Sequence, residues 1–307
     1  MAIINRVHQI TSPNAPEKRV AVVDKCIYCG RAPPDITLSD EHVIPDGLGG
    51  DLVLGQASCI DCAKMTNKFE QNFMVQGVGL ARAGLGIKSR KGRRRKDPPR
   101  TFKVYEGDGV IDIKYPPGPP VPPVAEITAS EDMPWGITMI VPNDRAAMLT
   151  GRPIGQTKST ARVWNPPDML QRVAKISNSE KWGYKTILDP GKHYQTLAKI
   201  AYCYAVSVFG VDNINPYVLN FIKDSGNPYD EFIGLAEFVP WPEFVFSKTI
   251  HWIGLSTQPI MKQNNAGLLI PHPPLILVYI QLFARQRMPV FEIVAGELRN
   301  AKPTGVI

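Results

Sequence analysis

Long hydrophobic runs are missing from this sequence, and none reaches the roughly 20 residues that a helix needs to cross a bilayer. The N-terminus also lacks a positively charged segment followed by an apolar stretch, so the sequence predicts no secretory leader. Charged residues make up only 21% of the chain and hydrophobic residues 44%, which is typical of a globular protein and not of a disordered one. We therefore expect a cytoplasmic protein with no membrane partner.

Cysteine is also scarce, with five residues in 307. Four of them form two C-x-x-C pairs, Cys26 with Cys29 and Cys59 with Cys62. In a reducing compartment such pairs indicate metal or redox chemistry and not structural disulfides. Two thiolate pairs at this spacing complete a tetrahedral zinc site, so we predict one structural Zn²⁺ held by all four. The fifth, Cys203, lies in an apolar segment and is predicted to be a small core residue.

Positive charge is in excess, with a formal net charge of +7. Such a balance favours a polyanionic partner, and its distribution is uneven. Eight cations cluster in one Pro- and Gly-containing segment: Lys88, Arg90, Lys91, Arg93, Arg94, Arg95, Lys96 and Arg100. The segment could simply be a solvated linker, but its dense positive charge also suits it to grip nucleic-acid phosphates.

The pattern of apolar and turn residues predicts an α+β protein in four parts. These are a loose N-terminal arm (1–20), a motif-bearing module (21–87), a segment with the basic tract, a hairpin and a Pro-rich linker (88–123), and an α+β C-terminal region (124–307). A helix is predicted to start near Ile60, and a buried helix over residues 194–209 is expected to end at Gly210. Two strands near the C-terminus are expected to pair. His193, His251 and His272 show no mutual spacing that indicates a site.

The segment between the cysteine pairs reads as two short strands joined by a turn. The first strand leads into Glu41-His42, and the turn contains Pro45, Gly49 and Gly50. The order of C-x-x-C, acidic-His-x-x-Pro, Gly-Gly and a C-x-x-C that opens a helix resembles the HNH (ββα-metal) endonuclease family. The string CIDCAKMTNKFE is similar to a bacterial and phage subgroup of it. The resemblance covers residues 24–75.

The resemblance implies a hairpin packed on a helix with a divalent ion at their junction. It assigns Glu41 as the metal-binding carboxylate and His42 as the general base. An unperturbed pKa near 6.5 suits the histidine to that role. Oxygen ligands favour Mg²⁺ or Mn²⁺ for the catalytic ion.

The chain departs from the family pattern at the asparagines. Ala63 stands where many HNH nucleases carry a metal-binding Asn, and the strand 53–56 has no Asn either. Helical spacing places Asn67 and Glu70 on the side of Ala63, so either is a candidate third ligand. Of the two, Glu70 offers the harder oxygen.

Two functions follow as hypotheses. The first is a metal-dependent endonuclease that nicks or cuts DNA, with RNA as an alternative substrate. The second is a zinc-stabilised nucleic-acid-binding protein whose HNH site is degenerate and inactive. The sequence leaves the oligomeric state open, with a homodimer among the options.

Overall fold

A computed structural model describes residues 6–12, 15–78, 82, 87, 101–106, 109–114, 136–141, 159–164, 183–184, 190–224, 226, 232–236, 249–263, 269–284 and 290–299. The basic tract 88–100 and the Pro-rich stretch 116–123 lie outside these residues, so the predictions made for them stay predictions.

Helices and strands alternate irregularly along the chain, as expected for an α+β protein. The strands are β1 (Arg6–Ile10), β2 (Lys18–Val22), β3 (Leu38–His42), β4 (Leu52–Cys59), β5 (Thr101–Glu106), β6 (Gly109–Lys114), β7 (Gly136–Val141), β8 (Ser159–Trp164), β9 (Gly183–Tyr184), β10 (Ile214–Pro216), β11 (Ile233–Leu235), β12 (His251–Gln263), β13 (Leu269–Gln281) and β14 (Phe291–Leu298). The helices are α1 (Ile60–Asn72, extended by a π turn at Phe73–Gly77), α2 (Pro190–Phe209) and α3 (Leu219–Lys223).

The motif-bearing segment forms a small sheet covered by α1. Strand β4 lies at its centre, parallel to β2 and antiparallel to β3. The position between two neighbours explains why all but one of the β4 residues are buried. Helix α1 starts directly after Cys59 and buries Cys62, Thr66 and Phe69, which recur at the spacing of one helical face. The predicted arrangement of two strands followed by a helix is confirmed.

The C-terminal region supplies the long helix α2 and five strands of a six-stranded antiparallel sheet, whose sixth strand is β1. The strand order is β1-β12-β13-β14-β10, with β11 also on β14. The predicted pairing of the last two strands and the buried helix ending before Gly210 are both confirmed. Helix α2 packs against α1 as well as against β13 and β14, and one hydrophobic core includes residues from all of these elements. The predicted module is thus packed directly on the C-terminal region.

The segment expected to be a loose arm contains two strands. Strand β1 pairs antiparallel with β12, about 240 residues away in sequence, from Arg6 with Leu255 to Ile10 with His251. Strand β2 pairs with β4. Local polarity and two prolines suggested a coil, but long-range ladder hydrogen bonds and burial of Ile10 determine the structure.

The predicted hairpin about Gly107–Gly109 is confirmed by the pairing of β5 with β6. Among the described residues, no helix combines the length and the hydropathy required to span a membrane.

Candidate active site

The four cysteines of the C-x-x-C pairs come together at one end of the module. Their sulfur atoms all lie within 4.8 Å of one another, and Cys29 Sγ is 3.8 Å from Cys59 Sγ. Four sulfurs bound tetrahedrally at about 2.3 Å from zinc would be separated by about 3.8 Å. This spacing fits a shared zinc ion and is too long for a disulfide. The four thiols therefore form a group that could hold Zn²⁺.

Each cysteine pair lies in a turn that presents its sulfurs. After the first pair, Gly30 adopts a positive φ of 75°, and its N–H donates to the Cys26 carbonyl. The second pair spans the end of β4 and the first turn of α1. Arg31 donates hydrogen bonds to Cys29 Sγ at 3.4 Å and to Cys59 Sγ at 3.5 Å. Burial alone would raise the pKa of the Cys29 thiol, but these contacts lower it to about 6.

The turn between β3 and β4 fixes the end of the strand that carries Glu41 and His42. Gly49 has a φ of 82°, and a Cβ on Gly50 would lie 1.8 Å from the Ile44 carbonyl oxygen, so this turn requires both glycines. The ring of His251 on β12 contacts the Leu48 carbonyl through Nε2 at 2.9 Å. The C-terminal sheet thus holds the turn.

A lysine from the C-terminal region lies at the junction of hairpin and helix. Lys199, on α2, is fully buried, with Nζ 2.7 Å from Glu41 Oε1 and 2.8 Å from Glu70 Oε1. Nζ also donates to the backbone carbonyl of His42. Burial lowers the pKa of Lys199, but the two carboxylates outweigh this and raise it above its ordinary value. Burial raises the pKa of Glu70.

His42 is partly exposed beside this buried group. Its Nε2 lies 2.9 Å from Glu17 Oε1, in the segment that precedes β2. Burial, and then the charge of Lys199, lower the pKa of His42 below 6.5. The imidazole is therefore neutral at pH 7 and able to accept a proton on the nitrogen that does not face Glu17.

Glu17, His42 and Asp46 also form a second group that could hold a metal ion, with ligand atoms within 4.8 Å of one another. An ion bound there would occupy one ring nitrogen of His42 and leave the proton of the neutral ring on the other. Metal binding by this group and proton acceptance by His42 are thus mutually exclusive.

The predicted ligand set for the catalytic ion is brought together only in part. Glu41 and Glu70 converge, but the position between their Oε1 atoms is taken by Lys199 Nζ. Asn67 is exposed, and its Oδ1 accepts a hydrogen bond from Gln71 at 3.3 Å. These residues, as arranged, do not fit a divalent ion. Asp40, the neighbour of the buried Glu41 on β3, is exposed and forms an ion pair with Arg19.

Sequence reasoning missed Lys199 and Glu17. A signal for the lysine exists, because it is the single charge inside the apolar segment 194–209. A buried lysine needs an acidic partner, so that position could have been singled out. Glu17 lies in a segment with no motif, and nothing in the sequence marks it.

His193 and Cys203 are buried, and the prediction that Cys203 is a small core residue is confirmed. His193 is buried among Phe73, Tyr194 and Phe291. Cys203 is fully buried, 3.4 Å from the Tyr28 hydroxyl.

In a comparison with known protein families, residues 26–76 match the family model described as HNH endonuclease. No curated protein and no solved structure matches the chain. HNH nucleases act on nucleic acid and use divalent metals. The two cysteine pairs and the ββα arrangement of this segment agree with that match.

Proposed function

We propose that this protein is an endonuclease that hydrolyses phosphodiester bonds in DNA, with His42 as the general base. The contact between His42 and Glu17 carries the proposal. A neutral imidazole at the hairpin–helix junction is paired with a carboxylate at 2.9 Å, which is the relation of a base to the group that orients it.

In the proposed reaction, His42 takes a proton from a water molecule as the water oxygen attacks phosphorus. A new P–O bond forms, the bond from phosphorus to the leaving oxygen breaks, and the leaving oxygen takes up a proton from solvent water. Glu17 accepts the N–H of the ring, fixes its tautomer and stabilises the imidazolium that results. Lys199 fixes the His42 backbone by a hydrogen bond to its carbonyl oxygen. No ion at Glu41, Asn67 and Glu70 takes part in this reaction, since these side chains as arranged do not fit one.

The proposed substrate follows from charge. The net charge of +7 and the cationic tract 88–100 would hold phosphates near the module without reading bases. RNA offers the same phosphates and stays an alternative substrate. We place the protein in the cytoplasm as a proposal.

A second candidate function is nucleic-acid binding without cleavage. It is favoured by Lys199 at the expected ion position and by Ala63 in place of a metal-binding Asn. In that case the zinc knuckles and the junction serve only as a scaffold.

Purified protein incubated with supercoiled plasmid separates the two candidates. Reactions are run with and without added Mg²⁺ or Mn²⁺, and we expect nicked or linear product at protein concentrations that retard the plasmid on a gel. Retardation with no cleavage under any of these conditions would leave the binding function in place of the nuclease.

A further inference from the structure

Lys199 is a charged residue on the inner face of a buried helix. Its neighbours Ala198, Ile200 and Ala201 are fully buried, and so is the lysine itself. Three oxygens surround its ammonium group: one from Glu41 on β3, one from Glu70 on α1 and the backbone carbonyl of His42. The contact with Glu70 Oε1 is an ion pair without hydrogen-bond geometry.

The same helix face also holds the first cysteine knuckle. The Tyr202 hydroxyl donates to the Ile27 carbonyl at 2.8 Å, and Cys203 Sγ lies 3.4 Å from the Tyr28 hydroxyl. Residues 199, 202 and 203 follow the i, i+3, i+4 spacing of one helix face. Helix α2 thus contacts the hairpin, α1 and the knuckle. It connects β3 to α1, as a metal ion bound at the junction would.

A divalent ion and the lysine compete for the same oxygens. Mg²⁺ binds oxygen at about 2.1 Å. Since Nζ lies 2.7 and 2.8 Å from the two Oε1 atoms, an ion on either atom would lie within about 5 Å of the ammonium. The site is buried, so water screens this repulsion only weakly.

We propose that Lys199 is the resident cation of the HNH junction, in the place where the family resemblance puts the divalent ion. Glu41 and Glu70 are its counter-ions and bind no divalent metal in this protein. The proposal takes the ion's expected position from the HNH assignment, but it does not depend on cleavage.

The test is direct binding of Mn²⁺ to the zinc-loaded full-length protein. Electron paramagnetic resonance measures the Mn²⁺ that stays free. The variants are Glu70→Gln, Glu17→Gln and Lys199→Met, with Lys68→Met as the control for removal of an exposed lysine from α1. No DNA is present, so a failed nuclease assay would not affect the readout.

We expect Glu70→Gln to leave Mn²⁺ binding of the wild-type protein unchanged. Any ion bound at the second group should be lost in Glu17→Gln instead. Lys199→Met should bind Mn²⁺ at least about tenfold more tightly at the junction, since a unit charge about 5 Å away is worth more than the roughly 1.4 kcal/mol that equals tenfold. Lys68→Met should behave as wild type.

Wild-type binding of Mn²⁺ that Glu70→Gln abolishes would overturn the proposal, and this comparison stands even if Lys199→Met does not fold. A folded Lys199→Met with no gain in Mn²⁺ affinity would also overturn it. Addition of Glu70→Gln to Lys199→Met should cancel the gain, which assigns it to the junction.

Discussion

Replacement of Lys199 by Met should destabilise the protein through the two carboxylates left behind. Methionine matches the length of the lysine stem and removes only the charge, so packing is largely kept. Removal of one partner from a buried ion pair typically costs about 3–5 kcal/mol. Because Glu41 and Glu70 both lose the same cation, we expect a loss at the upper end of that range at pH 7.

The loss should depend on pH with a definite sign. Burial raises the pKa of Glu70 above its ordinary value, so a Glu70 left without Lys199 takes up a proton on folding. The penalty is largest above that raised pKa and shrinks as the pH falls through it. The triple variant Lys199→Met/Glu41→Gln/Glu70→Gln removes the charges altogether and should recover most of the stability.

Urea unfolding followed by circular dichroism, at pH 7 and pH 5, measures this. The separation between the unfolding curves of the wild-type protein and the triple variant should be nearly the same at the two pH values. A loss below about 1 kcal/mol for Lys199→Met at both pH values would refute a buried charge cluster, since that is the range of exposed ion pairs.

Three further predictions concern the zinc group and the base. Removal of Zn²⁺ by chelator, or the change Cys59→Ser, should unfold the module locally, because structural zinc contributes roughly 10 kcal/mol or more in small domains. Amide hydrogen exchange should then show lost protection in β4 and α1. Arg31→Met removes two N–H···S contacts and should lower zinc affinity by roughly 10- to 100-fold, measured by competition with a chromophoric chelator. The rate of DNA cleavage should rise with pH and then level off, with its midpoint below pH 6.5. The reason is that burial and Lys199 lower the pKa of His42, and only the neutral ring accepts a proton. A midpoint above pH 6.5 would contradict that environment.

The parts of the site that could be predicted from sequence are those fixed by short-range spacing. C-x-x-C places two sulfurs in one turn, and the Gly49-Gly50 step is demanded by a positive φ and by contact with Ile44. Helix α2 was predictable because residues 194–209, about four helical turns, are densely apolar. In each case the physical requirement acts within a few residues of chain.

The parts that escaped prediction depend on contacts between distant segments. Lys199 reaches Glu41 across 158 positions, and β1 pairs with β12 across about 240. Asn67 shows the limit of helical spacing. At 100° per residue it is turned about 40° from Ala63, whereas Glu70 is turned about 20° the other way. That difference leaves Asn67 exposed and Glu70 inside.

Plasmid cleavage by His42→Ala bears most directly on the proposed chemistry. This change removes the proton acceptor but none of the four cysteines, so folding, zinc content and DNA retardation should stay as in the wild-type protein. His272→Ala, at a half-buried histidine of β13, is the matched control and should cleave normally. We predict that His42→Ala lowers the cleavage rate by about 10²–10⁴-fold, the range of a general base. Cleavage by folded His42→Ala at the wild-type rate would contradict the account.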